Sequence, residues 1–159
     1  MTGAGFEADT GDGPAPADGA SAERRAAEVR VAFEGMLQIR RLTGTRGGDP
    51  GAQPAAWELN QPVRAVALAL EAAGVTPSAV DADGRRVATG YRVTAGERPG
   101  TVRVEWLGPP GGGAAQEEET ALSACARALT PLGWEALLYR GPRRRRFLEV
   151  EPLHGHDPA

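Results

Sequence analysis

The sequence contains a single cysteine, Cys125, which excludes an internal disulfide framework and a zinc site built from several cysteines. Long apolar runs are also missing, and none approaches the length of about 18 residues that a membrane-spanning helix needs. The first residues, MTGAGFEADTGDG, have neither the basic start nor the apolar stretch of a signal peptide. We therefore expect a cytoplasmic protein with no membrane partner.

Lysine is absent as well, so that all 18 basic residues are arginine. Together with abundant alanine and glycine, this bias indicates a GC-rich bacterial genome rather than the selection of particular arginines. Charge is uneven along the chain, because residues 1–84 carry seven arginines and twelve acidic residues, whereas residues 85–150 carry eleven and seven. The first part is acidic and the second basic, although the formal net charge is only −3.

Residues 1 to about 20 combine four acidic side chains with glycine, alanine and proline and contain no basic residue. Such a segment buries too little apolar surface to offset the entropy lost on ordering. We expect a disordered acidic tail whose removal leaves thermal stability unchanged.

An amphipathic helix is predicted over residues 21–42, with Ser21 as its N-cap. Spacings of four and three residues place one set of side chains on a single face: Ala22, Ala26, Val29, Phe33 and Met36. The alternative is a β-hairpin that turns at Gly35. We favour the helix because its alanine-rich first turns have high helix propensity. Its apolar face (Val29, Phe33 and Met36 above all) is expected to contact the main domain or a partner chain.

The remaining chain is divided by composition. Residues 43–56 are predicted to form a Gly/Pro linker, residues 57–152 an α+β domain, and residues 153–159 a C-terminal tail. The glycines of the linker do not form a phosphate-binding loop, because no lysine follows them and no strand precedes them.

Two consecutive helix–strand–strand units are predicted within the domain. The first has a helix from Asn60 to Gly74 and strands over 85–94 and 101–107. The second has a helix with an apolar stripe of Leu122, Cys125, Ala126, Leu129 and Leu132, then strands over 134–140 and 144–151. The predicted fold class is α+β: a four-stranded, mainly antiparallel sheet with two helices on one face, preceded by the tail and the additional N-terminal helix.

Residues suited to catalysis or metal binding are scarce. His154 and His156 lie in the C-terminal tail, where Asp157 alone does not complete a metal site. Cys125, on the buried stripe of a helix, is interpreted as a core residue. Residues 81–84 start like a calcium loop but continue with two arginines, so a turn is predicted instead. We predict no metal and no cofactor. An enzyme whose carboxylates assemble from distant segments remains an alternative.

The sheet face turned away from the helices is the predicted interaction surface. If Val104, Trp106, Leu148 and Val150 face the helices, strand alternation places these residues on the opposite face: Arg86, Arg92, Arg103, Glu105, Glu135, Leu137, Tyr139, Arg145, Phe147 and Glu149. Its four arginines and three glutamates give a net charge of only +1. Mixed charge around Leu137, Tyr139 and Phe147 suits a protein partner better than nucleic acid.

A run of four arginines, Arg143, Arg144, Arg145 and Arg146, is predicted at the end of the second hairpin, where a nucleic acid backbone could reach it. The sequence therefore predicts a small non-enzymatic binding module that contacts a protein partner or a second copy of itself through the sheet face and the N-terminal helix. The alternative is a nucleic-acid-binding protein that uses the arginine run and the adjoining sheet face, including Arg92 and Arg103.

Overall fold

The computed structural model describes residues 6–15, 19–44 and 47–153. The α-helices in these ranges are α1 (Gly19–Thr43), α2 (Ala56–Asn60), α3 (Pro62–Ala72) and α4 (Ala114–Leu129). The strands are β1 (Ala79–Val80), β2 (Arg86–Ala88), β3 (Gly90–Ala95), β4 (Val102–Leu107), β5 (Trp134–Arg140) and β6 (Arg146–Pro152). Short 3-10 turns lie at Pro50–Ala52, Thr130–Leu132 and Pro142–Arg144. None of the helices in the described ranges is long and apolar enough to cross a membrane.

Four strands form an antiparallel sheet in the spatial order β3-β4-β6-β5. The helices α3 and α4 pack against one of its faces, where Val104, Trp106, Leu148 and Val150 are buried. These four side chains alternate with partly exposed ones along β4 and β6, as strand geometry requires. The predicted α+β class and antiparallel sheet are therefore confirmed.

The strand predicted over residues 85–94 is interrupted. Residues 86–88 turn away from the main sheet and pair with β1 in a separate two-stranded sheet, and only Gly90–Ala95 joins the main sheet. A turn at residues 81–84 connects β1 to β2, with the Asp81 carboxylate accepting hydrogen bonds from the backbone N–H groups of Asp83 and Arg85. The turn prediction for this segment is confirmed, whereas the expectation of one long strand is wrong.

The predicted N-terminal helix is confirmed as α1, although it begins at Gly19, so that Ser21 is not its N-cap. Val29 and Met36 are buried against Leu68 of α3, with Phe33 partly buried beside them. Ala22 and Ala26 are exposed instead of lining this face. Because α3 lies between the sheet and α1, residues 65–70 are all buried.

A fully buried ion pair joins the end of α1 to α2. The Arg40 guanidinium donates to both carboxylate oxygens of Glu58, at 2.7 and 2.6 Å. It also donates to the backbone carbonyls of Gly51 and Leu132, each at 2.8 Å. Residues 50–52, part of the segment interpreted as a linker, are thereby tied to both α1 and the turn that follows α4.

Residues 6–15, which we call the N-terminal strap, are an extended segment bound to the rest of the chain. The Thr10 carbonyl accepts a hydrogen bond from Val93 N–H of β3 at 2.8 Å, and the Gly13 carbonyl accepts one from Val80 N–H at 2.9 Å. The buried Tyr91 hydroxyl donates to the Asp9 carbonyl at 2.8 Å. The prediction of disorder is therefore wrong for residues 6–15. Residues 1–5 and 16–18 lie outside the described ranges.

Candidate interaction surface

The open face of the main sheet carries two rows of side chains that run across all four strands. The first row follows the register Arg92, Glu105, Phe147 and Tyr139, and the second follows Thr94, Arg103, Glu149 and Leu137. In the described part of the chain no helix packs on this face. The structure therefore brings together Arg92, Arg103, Leu137, Tyr139 and Phe147, as the strand alternation predicts.

An aromatic pair lies at the β5 side of this face. The rings of Tyr139 and Phe147 stack with centroids 5.8 Å apart and planes inclined by 25°. The Arg103 guanidinium lies over the Phe147 ring, 3.9 Å from its centroid. Leu137 occupies the neighbouring position on β5, and Leu137 and Tyr139 are 46% and 44% exposed. We call Leu137, Tyr139 and Phe147 the apolar cluster.

The arginines around this cluster are paired with acidic groups of the same chain. Arg92 lies 3.1 Å from the Asp12 carboxylate of the strap and 3.6 Å from that of Glu105. Arg103 lies 3.6 Å from Glu97. Arg98, in the β3–β4 turn, lies 3.0 Å from Glu149 and 3.3 Å from Glu151. These pairs reduce the positive potential that the face could offer to phosphates.

The arginine run is divided between two environments. Arg145 does not lie on the open face: its guanidinium donates to the buried Glu118 of α4 at 2.7 Å and to the Trp106 carbonyl at 2.8 Å. Arg146 also contacts Glu118, through a 2.8 Å hydrogen bond from its backbone N–H. The placement of Arg145 on the open face is wrong, because the chain is still turning there and β6 begins only at Arg146.

The other two arginines form the tip of the hairpin. Arg143 and Arg144 are exposed and adopt left-handed backbone conformations, with φ of +62° and +61°. This conformation ends any strand, since left-handed geometry is incompatible with the extended backbone. Within the described residues neither side chain has an ion-pair partner. The predicted strand over 144–151 is therefore too long by two residues at its start.

Two further sets of predicted site residues make contacts within the chain. Arg86 lies in the second sheet rather than on the open face, where it donates to the Gly11 carbonyl and forms an ion pair with Asp12 of the strap. The helix face of Val29, Phe33 and Met36 packs against α3 of the same chain, so the expected contact with the main domain is confirmed. Asp12 could not be identified from the sequence as a partner of Arg86 and Arg92, because a tail predicted to be disordered has no defined neighbours.

Strand β5 contributes one residue that the sequence interpretation did not single out. Leu138 lies on the helix side of the sheet, yet it is 43% exposed, at a position on the edge strand β5. Three consecutive large apolar side chains, Leu137, Leu138 and Tyr139, are thus exposed along this edge. Alternation along a strand could have located them once the strand order was known.

Cys125 and two carboxylates, those of Glu58 and Glu118, are buried. Burial raises the pKa of the Cys125 thiol to about 12, which keeps the thiol protonated and confirms its core role. The buried carboxylates Glu58 and Glu118 each bind arginine side chains and a backbone N–H group. His154 and His156 lie outside the described residues. In the ranges that are described, no three His, Cys, Asp or Glu side chains are grouped as a metal ion would require.

A shallow cleft of about 970 Å³ lies between the strap, the start of α3 and the β3–β4 turn. Its lining combines Phe6 and Val63 with polar groups such as Gln61, Arg64 and Glu97. It is open to solvent, and none of its lining residues belongs to the apolar cluster.

Comparison with known proteins adds no relative: no family model, no curated protein and no solved structure matches the chain.

Proposed function

We propose that this protein is a small cytoplasmic binding module without enzymatic activity, and that it contacts another protein through the open sheet face. The observation that carries the proposal is the exposed apolar cluster Leu137, Tyr139 and Phe147, surrounded by arginines that already have acidic partners. Clustered aromatic and apolar side chains inside a polar rim are typical of protein interfaces. The face is built on paired strands, so little ordering entropy is lost on binding.

A nucleic-acid-binding function is the second candidate, and one observation favours it. Arg143 and Arg144 project from the hairpin tip without an ion-pair partner among the described residues, beside the exposed Arg140 of β5. Three arginines are few for an interface with a phosphate backbone, and half of the arginine run is bound to Glu118. The protein-binding function therefore has the stronger support.

The test compares variants that change only one of these surfaces. Immobilised protein is exposed to a nuclease-treated lysate of the source organism, using the wild type, Phe147→Ala and Val87→Ala. Val87 is a matched control, because it is an apolar side chain 46% exposed on the other sheet. We expect Phe147→Ala to lower retention of a specific protein at least about tenfold, the loss of an anchor worth about 1.4 kcal/mol. Val87→Ala should leave retention unchanged.

The nucleic-acid arm uses a fluorescent single-stranded 20-nucleotide RNA and the double variant Arg143→Ser/Arg144→Ser. Binding that falls with salt, with a logarithmic slope of roughly 0.7 per phosphate, and that the double variant abolishes would overturn the protein-binding proposal. Retention that Phe147→Ala leaves unchanged would also overturn it, since the apolar cluster would then carry none of the contact.

A further inference from the structure

Strand β5 leaves one side of the main sheet open. It pairs with β6 in seven consecutive positions without a bulge, and in the described part of the chain nothing pairs with its other side. The strand reads WEALLYR, with no proline or glycine that would disturb further pairing. A regular, straight edge of this kind is a template for another strand.

The opposite edge of the sheet is partly covered. Along β3, the N–H and carbonyl groups of Tyr91 bond to the backbone of Thr76 and Ser78, and the Val93 N–H bonds to Thr10 of the strap. Other segments of the chain therefore bond to the β3 edge, whereas within the described ranges no backbone group bonds to the outer side of β5.

The free edge is also apolar on both faces. Leu137 and Tyr139 point to the open face and Leu138 to the helix side, and all three are more than 40% exposed. Edge strands of monomeric proteins usually carry charge at such positions, which discourages pairing. Here the only charged side chains of β5 are Glu135 and Arg140, near its two ends.

The edge of β5 is complementary to the same edge of a second copy of the chain. A two-fold axis perpendicular to the sheet would place β5 of two copies antiparallel, with open face beside open face. Leu137 and Tyr139 of one copy would then meet the same pair of the other, and Leu138 would meet Leu138 or its neighbour across the helix side.

We propose that a second copy of this chain binds at β5, so that two four-stranded sheets join into one antiparallel sheet of eight strands. The inference rests on the proposed protein-binding function and adds the identity of one partner. It also makes the open faces of the two copies continuous, which doubles the surface that carries the apolar cluster.

The first test is the molar mass in solution, measured by size-exclusion chromatography with light scattering. The wild type is expected at twice the chain mass of 16.6 kDa. Leu138→Glu should raise the dissociation constant of the dimer at least about a hundredfold, because it sets two like charges against each other at the axis. Val87→Glu, the same change at an equally exposed position of the other sheet, should remain a dimer.

Two cysteine variants test the same pairing without adding charge, so that a failure of Leu138→Glu to fold does not affect the result. Leu137→Cys and Leu138→Cys introduce a thiol at the axis, and one of them should form a disulfide-linked dimer when oxidised glutathione accepts the two electrons. Val87→Cys should stay unlinked under the same conditions. The native Cys125 is buried and does not compete. Absence of cross-linking at both edge positions would overturn the proposal.

The outcomes separate this inference from the function on which it rests. A wild type that stays monomeric at concentrations on the order of 0.1 mM, or a dimer that Leu138→Glu leaves intact, overturns β5 pairing and leaves the sheet-face function standing. Phe147→Ala should keep the dimer mass, since Phe147 lies on β6 and not at the edge. Unchanged partner retention by that variant, together with an intact dimer, overturns the function alone.

Discussion

At the scale of single residues, the Arg40–Glu58 pair shows how hydrogen bonds offset the desolvation cost of buried charges. Each of its two side chains is fully buried, and the polar atoms of the pair bond to each other and to three backbone groups. The desolvation cost of such a pair is offset only while every partner is in place. The pair therefore connects α1, α2 and the turn after α4 only as a complete set.

Breaking this pair should be costly. We expect Arg40→Met to lower the free energy of unfolding by about 3–5 kcal/mol, because Glu58 would remain buried without its partner. The double variant Arg40→Met/Glu58→Leu should recover most of the loss. Urea unfolding followed by circular dichroism measures both. The control is Arg98→Ala, which removes an exposed pairing and should leave the free energy of unfolding almost unchanged. Equal losses for Arg40→Met and Arg98→Ala would contradict this account.

Two carboxylates of the strap should respond to pH in opposite directions. Burial is the main cause that raises the pKa of Asp9, with the Glu71 charge adding to it. For Asp12, partial burial raises the pKa, but hydrogen bonds and charges from Arg86 and Arg92 outweigh it and hold the pKa below the ordinary 3.8. Asp9 therefore destabilises the fold at neutral pH, whereas Asp12 stabilises it.

The matched substitutions are Asp9→Asn and Asp12→Asn, compared by thermal unfolding from pH 7 to pH 2.5. At pH 7 we expect Asp9→Asn to raise the melting temperature and Asp12→Asn to lower it. The Asp9 difference should vanish as the pH falls through its raised pKa toward 3.8, where the carboxyl is protonated in both states. The Asp12 difference should persist to lower pH, until its own lowered pKa is passed. Shifts of the same sign would refute these assignments.

At the scale of elements, the strap depends on one glycine. Gly11 has φ of +96°, and a Cβ atom there would lie 2.1 Å from the Tyr91 carbonyl oxygen. That oxygen belongs to the backbone of β3 and cannot move aside cheaply. Close approach of two backbones is the reason why glycine is required at this position.

Gly11→Ala should detach the strap. We expect a loss of about 3 kcal/mol, since at least three hydrogen bonds worth roughly 1 kcal/mol each depend on the strap. Gly13→Ala is the control, because a Cβ atom there would meet nothing closer than 3.9 Å. Hydrogen exchange of the Val93 and Val80 amides reports detachment directly, since both donate to the strap. Unchanged exchange in Gly11→Ala would show that the strap tolerates a side chain.

The regular elements were predictable because their signals are local. Apolar spacing of three and four located α1, α3 and α4, and strict alternation located β4 with the correct buried face. The strap was not predictable, because bonds such as those of Asp9 to Glu71 and Tyr91 join residues 62 and 82 positions apart in the chain. The same limit applies to Arg145, whose contact with Glu118 depends on where the hairpin turn ends.

At the scale of the whole molecule, the strap also accounts for the uneven charge of the sequence. Asp12, from the acidic first part, neutralises Arg86 and Arg92 of the basic second part. The positive excess of residues 85–150 is thus partly cancelled inside the folded chain rather than presented to a partner. The candidate surface could be placed from the sequence, but its electrostatic character could not, because that character depends on a segment predicted to be elsewhere.

The difference between the two sheet edges also limits how many other copies one molecule can bind by strand pairing. A chain with one available edge can join only one neighbour, so association stops at a closed pair. A chain with two available edges can add neighbours at both ends and grow without limit into a fibre. The strap covers part of the β3 edge through its bond to Val93, and residues 76–78 cover another part through Tyr91. Loss of the strap would expose β3 at Val93 alone, so the pairing with residues 76–78 would still obstruct a second neighbour at this edge.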